Sequence, residues 1–320
     1  MTILLLALGI LVLAAAVLLW RSARRALRTV VRVVLRCAAG LVGLVALALI
    51  AGGGYLYWYC HRPLPQSVGK TLFRGVDYVR DVRRTPRALV IHVVKVDLTA
   101  PGVRVLVTPG QPITEQQLRA RTTSQFLQEF GLRVAVNGDA FRPWHSWGLF
   151  DYYPHVGDPV DALGFAASEG TVYSEGPATA TLFVSRDNRA TFGSPAGEVH
   201  NALSGIGMVV HGGKVTGRSS SQLEPRTAVG VDASGNTLII VVVDGRQPHY
   251  SEGVSLQELG AILLEYGAWQ AMNLDGGGST TLVMEGPSGE PLKLSCPIHT
   301  RVPGRERPIA NHLGILAQKN

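Results

Sequence analysis

Residues 273–283 read NLDGGGSTTLV, an amide, a carboxylate, three glycines and a run of hydroxyls in succession. Asp275 can move a proton or attack an electrophile. Asn273 and Ser279 can hydrogen-bond. Gly276, Gly277 and Gly278 lack the Cβ atoms that keep backbone N–H groups away from an anionic oxygen. A tight turn explains the same letters, and the pattern alone leaves both readings open. It is not a Walker loop, because no lysine follows the glycines, and its spacing is not that of a dinucleotide fingerprint. Two other apolar runs end on similar chemistry. Residues 132–136 lead into Asn137, Gly138 and Asp139, and residues 237–243 lead into Asp244 and Arg246.

These clusters need strands to position them. If the three runs are roughly parallel neighbours, their polar ends share one rim of a sheet, a common place for ligand sites. Residues 227–232 and 237–244 flank the turn ASGN and predict a hairpin. Pairing 231 with 237 sets Arg226 beside Val242 and within reach of Asp244. Such an arginine can hold phosphate through a forked pair of hydrogen bonds, or can form a structural Arg–Asp pair. TLIIVVVD has no polar face before its end and should be a central strand covered on both sides. Residues 88–98 read as another buried strand. Ser255 and Glu258 form a capping box for a helix over 255–267, with Leu256, Leu259, Leu263 and Tyr266 as its buried stripe. Thr123 or Ser124 caps a second helix that ends at Gly131. The stretch 142–159 is a long loop, in which Trp144, His145 and Trp147 either form a sugar-stacking wall or anchor the loop to the core. The pattern predicts an α+β fold, a mixed twisted β-sheet with packed helices.

The N-terminus is a separate matter. Residues 1–20 and 37–60 carry no charge, and each is long enough to cross a bilayer as a helix. Residues 21–36 between them hold six arginines and no acid. Basic loops stay on the cytoplasmic side, so a transmembrane helical hairpin is expected, with everything after about residue 61 outside. A cleaved signal peptide fits less well, since no basic residue precedes the first apolar stretch. The boundaries expected are helices over 1–20 and 37–60, a basic loop over 21–36, a linker over 61–84 and one domain over 85–320. The formal charge of +7 comes from the arginine loop, and the rest of the chain carries about +1, with 23 acids in all. That excludes a nucleic-acid partner despite a pI near 9.5. Of three cysteines, Cys37 and Cys60 belong to the second span and only Cys296 to the outer domain, which rules out an internal disulfide there.

NLDGGGSTTLV, taken in order with VNGDAF, PRTAVGVD and VVVDGRQP, resembles the phosphodiester glycosidase family over roughly residues 85–318, a family with many exopolysaccharide-related bacterial members. The resemblance implies hydrolysis of a sugar-1-phosphodiester to free sugar and a phosphomonoester. It carries site status to Asn137, Gly138, Arg226, Asp244, Gly245, Arg246, Asn273, Asp275, Gly276, Gly277, Gly278 and Ser279, and to Arg307 in RERPIANH. Where members carry a second glycine and an aromatic pair, this chain has Asp139, Ala140 and Phe141, which bears on the pocket's shape and so on the sugar. Hydrolysis at an anomeric carbon needs a carboxylate that attacks C1 or activates water. Asp275 is the expected carboxylate and Asp244 the second acid, with Asp139 a rival for either role. Arg226 and Arg246 would bind phosphate with the 276–279 backbone, and Asn137 and Asn273 would bind sugar hydroxyls. No cofactor is required by this chemistry, although Asp244 and Asp275 together could hold a divalent cation. The alternatives are a metal-dependent phosphodiesterase cutting P–O and a non-catalytic module binding envelope polymers. The expected substrate is a sugar-1-phosphodiester or envelope glycan, met by an outward-facing domain at the cell membrane.

Overall fold

The computed structural model describes residues 2–25, 29–111, 116–177, 180–219 and 221–319. Two units are separable, residues 1–63 and 64–320.

The first unit is a pair of packed helices, Thr2–Arg25 and Thr29–Cys60. Both are long and apolar enough to cross a membrane. The arginine-rich stretch expected as a loop is largely helical, with residues 26–28 outside the described part. Gly9, Ala16 and Ala23 on one helix are buried, as are Ala39, Ala46 and Gly53 on the other. Each set recurs every seventh residue, so one small-residue seam faces the partner along the whole contact. Small side chains let two backbones approach closely. A Cβ at Gly9 would lie 2.7 Å from the Ile50 side chain. The opposite faces carry exposed leucines such as Leu4, Leu11, Leu18, Leu41 and Leu44.

The second unit is built on an eight-stranded sheet. In spatial order its strands are Val68–Phe73, Val76–Arg83, Leu89–Asp97, Thr237–Val243, Arg226–Val231, Gln270–Asn273, Gly207–His211 and Lys214–Val215. The first two form a hairpin inside the stretch expected as a linker. Charged residues hide its alternation in the sequence, yet Val76 and Tyr78 are buried. The α+β class holds. Pairings between these strands are antiparallel, so a mixed sheet is not what forms.

Side chains alternate across this sheet and feed two cores. Val94, Val96, Val229, Ile240 and Val242 point to one side, where they meet Val105, Val134, Val136, Leu282 and Ile315 of a second, five-stranded sheet. Ile91, Val93, Ala228, Ile239 and Val241 point to the other side and pack on the helix Leu256–Glu265. The Thr237–Val243 strand is therefore central and covered on both faces. The Ser255–Glu258 capping box forms, and Leu259, Ile262 and Leu263 are the helix's buried residues. The helix Thr123–Glu129 covers the far side of the second sheet through Phe126 and Leu127. Its cap is Thr122, with Gln125 completing a capping box, rather than Thr123 or Ser124. Thr123 is buried, and Ser124 bonds Glu306 instead.

The hairpin register differs by one residue from the counted one. Arg226 pairs with Val243, not Val242. Because side chains alternate, a one-residue slip moves a residue to the opposite face. Arg226 thus stands on the helix side of the sheet, while Asp244 turns toward the second sheet.

Candidate active site

The strands Thr237–Val243 and Gln270–Asn273 both run antiparallel to Arg226–Val231, which lies between them. Their C-terminal ends and the N-terminal end of that middle strand therefore share one rim. A cleft of about 740 Å³ opens there. Asp275, Gly276, Gly277 and Gly278 line it, together with Arg226, Arg246 and Arg307. Arg301, Thr300, Glu224, Gln222 and Ser146 add to its polar wall. Four guanidiniums thus face two carboxyl groups, a cleft built for an anion.

Asp275 is placed by main-chain and side-chain bonds on both sides. Its N–H donates to Gly138 O (3.1 Å). Its carbonyl accepts from Asn137 Nδ2 (2.8 Å), and its Oδ1 accepts from Gly276 N–H (2.9 Å). Burial pushes the Asp275 carboxyl above the usual carboxylate range, opposed by the Ser279 hydroxyl, Arg307 and Arg246. Arg307 donates Nη1 to Ser279 Oγ (3.2 Å) and Nε to His299 Nδ1 (3.3 Å), and lies 5.2 Å from the Trp144 ring centre. Arg246 adopts φ +57°, a left-handed conformation uncommon outside glycine and typical of constrained sites. It pairs with Glu224. Burial is the main cause that lowers the basicity of both Arg226 and Arg307, and Arg246 lowers both further, so three guanidiniums share one field. An entering phosphate would relieve that repulsion.

The three glycines serve a different end from the expected amide nest. The N–H of Gly276 goes to Asp275, that of Gly277 to Pro225 O (2.9 Å) and that of Ser279 to Gly276 O (3.2 Å). Those three amides are satisfied, which leaves only the Gly278 N–H of this turn for an anion. What the glycines supply is room. A Cβ at Gly277, whose φ is +60°, would come 3.0 Å from Arg246 Nη2, and one at Gly278 would come 2.6 Å from Arg307 Nη2. The arginines lie flat on bare backbone. Gly278→Ala should displace the pinned Arg307 guanidinium and cost about 10²-fold in kcat/KM, since a shift near 1 Å has that effect in positioned sites. Steady-state kinetics beside a thermal melt will check that the loss is not unfolding.

Other expected site residues stand behind the cleft. Asp244 is 1% exposed. Its Oδ2 lies 3.2 Å from His92 Nε2, and its Oδ1 accepts from Cys296 N–H (2.7 Å). The register slip explains this: Asp244 faces the inter-sheet core, not Arg226. Asp244 is thus absent from the cleft lining in which it was expected beside Asp275 as second acid or shared cation ligand. Asn137 is buried too, its Oδ1 accepting from Thr227 Oγ1 (2.7 Å) and Thr281 N–H (3.1 Å). Buried and outside the cleft lining, with Nδ2 on Asp275, it does not meet a substrate; it positions the Asp275 backbone. Gly138 contributes the carbonyl beneath Asp275. Asn273 is buried in the sheet, where its carbonyl accepts from Ile206 N–H (2.8 Å), and it does not reach the cleft.

Asp139 lies directly behind the cleft wall formed by Ala140 and Phe141. Its carboxylate accepts from Ala140 N–H (2.7 Å) and Gly164 N–H (2.8 Å). Burial pushes its pKa up to about 6, against those two N–H groups, with Asp275 adding to the rise. A carboxyl raised from its ordinary 3.8 binds its proton more tightly folded than unfolded. Its contribution to stability is therefore present below about pH 4 and lost as pH rises through 6, about 3 kcal/mol across that window. The denaturant midpoint should fall from pH 4 to 7, and Asp139→Asn should flatten most of that fall.

Arg301, Thr300, Glu224 and His299 escaped the sequence reading. Thr300 and Arg301 have φ of 50° and 60°, a tight left-handed pair that no glycine announces. His299 is buried, and burial, then Arg307 and Arg305, push its pKa down to about 3. It is neutral and accepts from Arg307. The density of arginines in TRVPGRERP was the one available signal.

Fold and cleft together are those of an α+β protein with a carboxylate set among arginines at a sheet rim. Residues 130–316 match the phosphodiester glycosidase family, and the chain belongs to it. Members of this family are hydrolytic enzymes. The chain is 28% identical over 228 residues to the mouse N-acetylglucosamine-1-phosphodiester alpha-N-acetylglucosaminidase, covering 62% of this chain and 41% of that protein. It thus spans about two fifths of that relative's length. The catalytic domain of the zebrafish enzyme of the same name, auto-inhibited by its pro-peptide, superposes with a TM-score of 0.55 at 19% identity, covering 82% of this chain and 94% of that one. A protein from Burkholderia pseudomallei gives a TM-score of 0.51 at 15% identity, over 72% of this chain and 74% of that one. At these identities the structures speak to the fold alone.

Proposed function

We propose that this chain is a membrane-anchored, outward-facing hydrolase that cleaves a sugar-1-phosphodiester of the cell envelope or an exopolysaccharide at its glycosidic bond. The observation that carries this is the meeting of Arg226, Arg246, Arg301 and Arg307 around Asp275 in one cleft. The guanidiniums hold the phosphodiester and stabilise the charge that grows on the leaving phosphate. Asp275 attacks C1 or takes the proton of the attacking water. Phosphate leaves readily, so no strong acid is needed opposite it, which suits a cleft from which Asp244 is absent.

The anchor is supported by the two apolar helices and by the arginines between them, which favour a cytoplasmic turn. The seam of small side chains at every seventh residue along their contact suits a first helix that stays with the second rather than a leader that is removed.

The test is a panel of sugar-1-phosphodiesters offered to the full chain in lipid nanodiscs. Free sugar and phosphomonoester should appear in equal amounts. Release of sugar-1-phosphate, or of nothing across the panel, defeats the reading.

A further inference from the structure

The cleft has an apolar wall that phosphate binding leaves without a task. It begins at Trp144, against Arg307, and includes Trp147, Leu149 and Ile206 along the lining. Trp147 is 79% exposed, and Phe150, beside Leu149 in the chain, is 87% exposed. These side chains are not on slack chain. The N–H groups of Trp147 and Gly148 both donate to Asp151 O (3.0 and 3.1 Å). Trp147 stacks on His145 at 4.4 Å, and Arg305 donates Nη1 to Leu149 O (2.9 Å). An ordered turn thus holds apolar groups in water, where such patches mark binding surfaces.

We infer that this wall receives the ester substituent on the far side of the phosphate, and that this substituent is an apolar chain. The substrate is then an amphiphile, a glycosyl phosphodiester of a lipid alcohol. The inference rests on the glycosidase reading and narrows it. The wall starts at a guanidinium that would hold the phosphate, so a group esterified to that phosphate extends along it. Ser146 and Gln222 also line the cleft, but Leu149, with exposed Phe150 next to it in the chain, offers a sugar ring no hydrogen-bonding side chain and suits an alkyl chain. Two bilayer-length helices in the same chain keep it where lipid alcohols reside. In the reaction, water oxygen bonds to C1 and the C1–O bond to phosphorus breaks. Its electron pair leaves with the lipid phosphate, and the water proton leaves through Asp275 to the product or solvent.

The experiment titrates methyl phosphate and hexyl phosphate, a single-tailed probe, into the full chain in nanodiscs by calorimetry. Hexyl phosphate should bind at least roughly tenfold more tightly, given the transfer energy of its added methylenes. In Leu149→Ser/Phe150→Ser, two exposed positions whose change spares the core, the preference should shrink below about threefold. Equal affinities in the wild type overturn the inference, as they would if the wall merely rested on bilayer lipid. So does a preference that survives in the variant. Neither readout needs a sugar to be cleaved, so failure of the glycosidase reading shows separately in the panel above.

Discussion

Asp275→Asn should lower turnover by on the order of 10²–10⁴-fold, the span that removal of a positioned catalytic carboxylate produces. The substitution is nearly isosteric. The amide oxygen can still accept from Gly276 N–H, and the main-chain bonds to Gly138 and Asn137 are untouched. The site should therefore stay assembled. Affinity for the phosphodiester should hold or rise, because a negative charge facing an anionic ligand has been removed. A fall in kcat with KM unchanged or lower is the expected signature. A variant that keeps a substantial share of its turnover contradicts the role.

The second large effect is Arg307→Ala. A preorganised donor at a developing negative charge contributes about 10²–10³-fold to rate, and its loss should appear in kcat/KM at that scale. Arg307 also holds Ser279 and His299, and its charge helps keep the His299 imidazole neutral. Removing it should raise the His299 pKa from about 3, visible by NMR titration. Arg307→Lys restores a charge without the planar fork and should recover only part of the activity. If Arg307→Ala hydrolyses a phosphodiester as fast as the wild type, the guanidinium cluster does not serve the phosphate.

Much of this was legible in the sequence for identifiable reasons. The unbroken apolar run of Thr237–Val243 could only be a covered central strand, and Ser255 with Glu258 marked a helix start through local chemistry. That Arg246 and Asp275 lie at one rim was expected from strand ends, and Arg226 from the hairpin count. What failed was register. One residue in the turn decided whether Asp244 joined Arg226 or faced away, and no local signal fixes that count. Asn137 and Asp139 lie near Asp275, but at the end of a strand of the second sheet and not as the expected neighbour in the first. That they lie behind it depends on the second sheet, whose pairing with the first joins segments far apart in the chain. The glycine turn was read as a source of amides. Its use as bare ground beneath two guanidiniums depends on Arg307, thirty residues further on. Thr300 and Arg301 take up conformations that only tertiary packing imposes.

Hydrolysis in water enriched with ¹⁸O tests the central claim most directly, once a cleaved sugar-1-phosphodiester is in hand. Attack at C1 under Asp275 places the label in the released sugar and leaves the phosphomonoester unlabelled. Label in the phosphate would mean that the P–O bond is cut, and that this cleft is not a glycosidase site.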